Sequence, residues 1–320
     1  MSLPLQQTAI GCAWRGAQHL DLRLPEGTLG IEVMRARFPP GSRILRLPRF
    51  GRGYSTDEVT SAVRGLRELA DRPGFVRAHI EVWSERESDR AQVARACEAE
   101  GYFRAEQPRM YPRTLWIDLE PEEDRILAGF RATARRHIRA PSKKGFVTIP
   151  VTSPRHAERL DELHRAAFDR SGGEAPFVDW KATLLATRLH PDRVTIRGIT
   201  RGDGGDSELL SFALAVRNGE VAEYLHAGSV RRPGLRIPLL YAPTWEIMRW
   251  AKSHGALAWD FGGITPGTAE DDDPRGGISD FKRYFGGEVR EVGEEWVYEP
   301  VGVAAGLARA AHRVKSVILE

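Results

Sequence analysis

Cysteine is nearly absent: Cys12 and Cys97 are the only two in 320 residues, with no CxxC pair and no cysteine–histidine cluster. That excludes a disulfide framework, gives no sign of a zinc site and fits a reducing compartment. Long apolar runs are missing too. No segment approaches the ~20 residues that a membrane-spanning helix needs. The N-terminus lacks a basic stretch leading into an apolar one, so the sequence reads as that of a cytoplasmic protein. Strong net charge is also lacking, since 47 Lys and Arg stand against 44 Asp and Glu.

The small net charge hides a local excess. From Arg125 to Lys144 there are seven Arg and Lys and no Asp or Glu. A field of that sign suits a polyanionic partner such as RNA, a nucleotide or an anionic lipid head group. The candidate contacts are Arg131, Arg135, Arg139, Lys143 and Lys144. A solvated helix face reads equally well, and both stay open.

With 41% hydrophobic and 28% charged residues the chain can build real cores, and its length predicts two domains. In the first, strands are expected at 31–38, 44–47, 75–83 and 114–119. A helix from Thr56 carries Val59, Val63, Leu66 and Leu69 at helical spacing, and another runs from about Ser88 to Gly101. Pro121-Glu122-Glu123-Asp124 opens a basic helix that Pro141 ends. The second domain repeats the recipe, with helices at 154–171 and 178–189 and a strand at 194–200. Asn218-Gly219 reads as a type I′ hairpin turn between strands 209–216 and 221–225. A basic loop at 231–236, a helix from Pro238 to Gly255 and a short strand at 258–261 follow. Gly202 to Asp206 is a flexible turn and no phosphate loop, because no helix follows it. The expected organisation is α+β: two tandem domains at 1–145 and 146–300, each a mixed central sheet flanked by helices. A C-terminal helix at 301–320 either packs back on the first domain or lies on a membrane surface as a peripheral contact.

The order strand, hairpin, strand, loop, helix, strand is the core of a GNAT acyltransferase domain. Tyr224-Leu-His-Ala-Gly-Ser229, Trp259-Asp-Phe-Gly-Gly263 and Gly277-Ile-Ser-Asp-Phe-Lys-Arg-Tyr-Phe-Gly-Gly287 together resemble the Fem-type peptidoglycan bridge enzymes. Leu119-Glu-Pro-Glu-Glu123, Arg135-Arg-His-Ile-Arg-Ala140 and Lys144-Gly145 look like the helix that joins that family's two domains. The resemblance spans Thr114 to Gly287; the first ~110 residues match in outline only. It implies GNAT-like domains, and an enzyme that moves an aminoacyl group from aminoacyl-tRNA to an amine. That amine belongs to a peptidoglycan precursor, or to a peptide or small amine of a natural-product pathway. Relatives of this fold use acyl-CoA, so fold alone leaves the donor open.

Such a transfer must position an amine, stabilise a developing oxyanion and move one proton. By the resemblance Lys282, flanked by Phe281, stabilises charge in the active site. Asp260, at a strand end, is either a base or the cap of the Gly262-Gly263 turn. Alternation sets Tyr224 and His226 on one strand face and Glu223 on the other, making the first two candidates for substrate contact. GNAT enzymes hold the pyrophosphate of CoA with [Q/R]-x-x-G-x-[G/A]. Arg231-x-x-Gly234 fits the first half, but Arg236 fills the last position and would crowd the phosphates. Arg231 and Arg236 are therefore expected to touch phosphates of an RNA end or a nucleotide-linked acceptor. Aminoacyl-tRNA is the expected co-substrate, CoA is disfavoured, and neither metal nor other cofactor is expected. Trp180 stands in an aromatic place of the acceptor site, without the arginine that bridge enzymes carry at that spacing.

Overall fold

The computed structural model describes residues 3–302 except 171, 203–207, 233–234, 236, 269, 272 and 274–275. Arg236, the turn at 203–206 and the expected helix at 301–320 (beyond 302) thus lie outside the described residues. The contacts form two compact units, residues 3–112 with those from 291 on, and 113–290.

The first unit opens with helix α1 (Ala9–Trp14) and the antiparallel hairpin β1 (Gln18–Leu24)–β2 (Gly27–Arg35). Strand β3 (Arg43–Gly51), helix α2 (Thr56–Ala70), strand β4 (Phe75–Trp83), helix α3 (Glu87–Ala99) and the two-residue strand β5 (Phe103–Arg104) follow. Ser55 starts α2 with a complete capping box, its side chain accepting from Glu58 N–H while Glu58 accepts from Ser55 N–H, worth about 1 kcal/mol. Val59, Val63 and Leu66 then bury against Ile31, Leu45, Leu47 and Ile80 of the sheet.

The opposite face of this sheet carries buried charge. Glu32 on β2 lies across from Arg46 on β3, whose guanidinium also binds Glu81 on β4. Arg15 closes on Glu32. Glu295, opposite Glu81 in register, accepts from Arg109 Nη2 at 2.6 Å and meets His79 Nδ1 at 2.7 Å. Burial drives Glu32 above the usual carboxylate range against the pull of Arg15 and Arg46. Burial pushes Glu295 the same way, but His79 and Arg109 outweigh it and hold it at about 2.

The second unit begins at strand β6 (Arg113–Asp118) and continues through helices α4 (Glu123–Gly129) and α5 (Ala132–Arg139) to strand β7 (Phe146–Pro150). Helices α6 (Ala157–Asp169) and α7 (Trp180–Leu189), strands β8 (Val194–Arg201), β9 (Ser211–Asn218) and β10 (Val221–Ser229), and helix α8 (Tyr241–Ser253) come next. Strand β11 (Ala258–Gly263), helix α9 (Gly276–Arg283) and strand β12 (Glu288–Glu291) complete it, and β13 (Glu295–Tyr298) follows.

Both sheets are mixed. Their orders are β1-β2-β3-β4-β13-β5 and β12-β6-β11-β10-β9-β8-β7, with β3–β4 and β10–β11 parallel. The first sheet takes a strand from beyond its own run of chain, whereas β6 opens the second unit's run. Strand β6, next after the first unit's β5, sits between β11 and β12; β13, next after β12, sits between β4 and β5. This moves the division to 112/113, ahead of the 145/146 expected from sequence, with a return near 291.

Two further expectations are corrected. The basic segment is not one helix: Phe130 and Arg131 are extended (ψ 150 and 149) and separate α4 from α5. Phe130 leaves the helix after Gly129 to bury its ring edge-on to Trp245 and Phe285. The hairpin turn is also shifted by one residue. Asn218 pairs with Val221, so Gly219-Glu220 are the central residues, and only Gly219 has positive φ (61). That is the type II′ pattern, in which glycine at the first central position suffices.

Candidate active site

Strands β10 and β11 stay in register for three residues only, Val221–Glu223 against Ala258–Asp260. Beyond them the strands part, and everything assigned to catalysis from sequence gathers near that opening. On β11, Asp260 is buried, and its Oδ1 accepts from Gly262 N–H at 2.6 Å and from the Thr114 hydroxyl. Gly262 has φ 72, a turn that a carboxylate two residues back can cap. These are the contacts of the turn cap: the carboxylate holds the strand end beside the opening.

Helix α9 supplies the cation. Lys282 is only 7% exposed, and its Nζ donates to the Gly263 carbonyl. Burial lowers its pKa to about 8, while the Asp260 charge pulls upward. Its neighbours on α9 grip the loop that follows β11. Ser279 accepts from Thr265 N–H at 3.0 Å, and Arg283 donates to the carbonyls of Thr265 and Gly267. Neither Ser279 nor Arg283 was singled out from sequence, because the glycine-flanked run 276–287 gave no helical periodicity to place them. The glycines after α9 meet the chain itself. A Cβ on Gly286 would lie 2.8 Å from the Gly129 carbonyl oxygen, and one on Gly287 would lie 2.4 Å from that of Trp116.

A bulge changes the reading of β10. Tyr224 pairs with Ala215 and His226 with Leu214, so Leu225 is an extra residue and the period-two alternation slips. Tyr224 and His226 therefore lie on opposite faces, and the expectation of one shared face is corrected. The Tyr224 ring joins Phe261 and Phe281 at 5.5 and 6.5 Å. Its phenol is pushed up by burial and hydrogen-bonds Thr244 of α8, which pulls the other way. Phe281 also packs on Tyr241 at 5.0 Å. His226 turns to the other face, where its ring meets His164 of α6 at 4.7 Å and Trp180 of α7 at 6.1 Å. Burial takes His164 down to about 4, so it is neutral at physiological pH. Trp180 is buried edge-on to Phe212. Glu223, across from Val216, shares the face of His226, and accepts from the Asn218 side chain.

The basic candidates divide by exposure. Arg131, Arg139, Lys143 and Lys144 are exposed. Arg135 is half-buried and donates to the Ala128 and Phe130 carbonyls, capping the end of α4. Beside Arg139 a groove of about 640 Å³ is lined by Ile138, Ser142, Phe146, Val147 and Trp245. Arg231 is exposed after β10, and its charge adds to burial in depressing the Arg170 guanidinium.

The FemAB family model matches residues 196–313, a span that holds both parting strands, Asp260 and Lys282. No curated protein sequence matches the chain. Among solved structures, a crystal structure of FemX is similar at TM-score 0.74 and 13% identity, covering 96% of this chain and 94% of that one. L-PGS from Bacillus licheniformis is similar at TM-score 0.55 and 14% identity, over 96% and 92%. The C-terminal domain of a putative lysylphosphatidylglycerol synthetase from Agrobacterium fabrum is similar at TM-score 0.53 and 15% identity, over 96% and 92%. At these identities the likeness is one of fold. Residues 196–313 thus match the FemAB family model, and the chain as a whole shares the fold of FemX.

Proposed function

We propose that the chain transfers an aminoacyl group from aminoacyl-tRNA to an amine, forming an amide on a peptide acceptor of the peptidoglycan-precursor type. The observation that carries this reading is Lys282, buried on α9 with its ammonium on the Gly263 carbonyl where β10 and β11 part. The acceptor nitrogen attacks the ester carbonyl; the new C–N bond forms, and the C–O bond to the ribose breaks. One proton leaves the amine and one reaches the departing ribose oxygen, so the sum is balanced. In between, negative charge collects on the carbonyl oxygen, and a cation held in a water-poor site stabilises it without reorganising. Asp260 keeps Lys282 charged and holds the strand end, a positioning part. The exposed cations Arg131, Arg139, Lys143 and Lys144, with Arg231, supply positive potential for a polynucleotide. A peptide or small amine of a natural-product pathway is an alternative acceptor on the same scaffold.

The test is transfer from pools of charged tRNA to muropeptide and small amine acceptors. Ribonuclease-sensitive amide formation supports the reading, and its absence with every donor and acceptor overturns it. The competing reading, an acyl-CoA-dependent N-acyltransferase, predicts tight CoA binding by calorimetry that is lost on changing Gly234 and indifferent to tRNA.

A further inference from the structure

Helix α7 turns Trp180, Thr183, Leu184, Ala186 and Thr187 inward. Its outward residues are Lys181, Leu185, Arg188 and Leu189, which fall on one side of a helix at 100° per residue. Leu185 and Leu189 are 44% and 60% exposed, and Phe177, in the irregular stretch just before the helix, is 66% exposed. Three large apolar side chains thus face solvent within 13 residues of chain, whereas other exposed apolar residues of this unit, such as Leu257 and Val289, are far apart in sequence. Scattered singles need no explanation; a group on one helix face does.

The two charges on the outward face of the helix are both positive. The helix holds Lys181 and Arg188 and no acid, and Asp192, just beyond it, pairs with Arg217. Asp179, the nearest acid before the helix, is occupied as its N-cap, accepting from Lys181 and Ala182 N–H at 3.0 Å. An apolar stripe bordered by Lys and Arg is the composition of a helix lying in a membrane interface, where aliphatic side chains enter the acyl boundary and cations meet anionic head groups. Protein–protein interfaces are depleted in lysine, by contrast. A 10-residue helix is about 15 Å long, enough to lie flat on a bilayer and too short to cross one.

We propose that the outward face of α7, with Phe177, is a docking surface for anionic lipid bilayers. The surface is independent of Lys282 and stands whichever acyl donor the protein uses. It would hold the second unit at the membrane with the Trp180–His226 side of its sheet turned toward the lipid.

The test uses the full chain and sucrose-loaded vesicles of phosphatidylcholine with or without phosphatidylglycerol. The protein should sediment with the anionic vesicles and stay in solution with the neutral ones. Lys181→Ala and Arg188→Ala should each weaken binding about fivefold, the effect shrinking at high salt. The triple change Phe177→Ser, Leu185→Ser, Leu189→Ser should weaken it by at least about tenfold, with an unaltered circular dichroism melt. Both native cysteines are buried, so Leu189→Cys accepts a polarity-sensitive dye, whose emission should shift to the blue on anionic vesicles. No sedimentation of the wild type, equal sedimentation of the triple variant, or no dye shift would each overturn the proposal. So would a wild-type dimer that the serine changes dissolve, since the face would then be a protein contact.

Discussion

Lys282 donates to the carbonyl oxygen of Gly263, so a buried ammonium rests on a neutral acceptor at the tip of β11. Its charge is maintained by Asp260 against burial, which alone sets its pKa well below that of a free lysine. A group so poised is cationic in neutral solution and titrates within reach of experiment.

Replacing Lys282 with Ala should lower kcat by about 10²–10³ and leave KM nearly unchanged, as expected when a charge that acts on the transition state is removed. Wild-type kcat should fall as pH rises through about 8, and Lys282→Arg should abolish that alkaline limb. Stability moves the other way. The folded pKa lies below the unfolded value of 10.5, so the unfolded chain binds more protons between the two. The contribution of Lys282 to stability therefore rises with pH from about 8 to 10.5. Urea titrations of wild type and Lys282→Met across that window would reveal the difference.

Arg139→Ala, Lys143→Ala and Lys144→Ala should weaken tRNA binding for all tRNA species alike. Each lost phosphate contact should make the dependence of log affinity on log salt shallower by about 0.7, readable by filter binding. Arg135→Ala should act differently, costing about 1 kcal/mol of stability through the uncapped end of α4, with a smaller change in salt slope.

Arg46 stands between Glu32 and Glu81, both buried. Changing it to Met removes the cation shared by two buried carboxylates, which keep only Arg15 and Arg109, and should cost about 3–5 kcal/mol by denaturant melt. Glu295 adds a pH signature to the same sheet. Its folded pKa of about 2 lies below the ordinary 4.5, so its stabilisation is complete above 4.5 and is lost as pH falls toward 2. Glu295→Gln should flatten the acid limb of the stability curve.

Gly228 packs under α6. A Cβ there would stand 2.4 Å from the Leu163 carbonyl oxygen, so Gly228→Ala should force α6 off the sheet at about 1–3 kcal/mol. A lower Tm with faster amide exchange in α6 is the expected result.

What sequence revealed, and what it concealed, follows from how local each signal is. The strands, the α2 helix and the motif run around Asp260 and Lys282 are written in contiguous residues, and the structure contains them. The bulge at Leu225 has no such mark: an ordinary leucine is the extra residue, so alternation put Tyr224 and His226 together when they face apart. Glu32 and Glu81 sit at alternating positions that normally read as solvent-facing, and nothing in β2 or β4 alone tells that Arg15, Arg46 and Arg109 gather over them. The break at Phe130 depended on Trp245 and Phe285, more than a hundred residues away.

The return of β13 to the first sheet also dictates an order of events during synthesis. Strand β4 reaches its neighbour β13 only after residues 295–298 have been made, more than two hundred residues after β4 itself. Until then the first sheet lacks the strand between β4 and β5, leaving a paired-ready edge on a ribosome-bound chain, the kind of surface that recruits wrong partners. The final passage of the polypeptide through the first sheet is what closes that sheet, so the first unit is completed only after the strands of the second have been made.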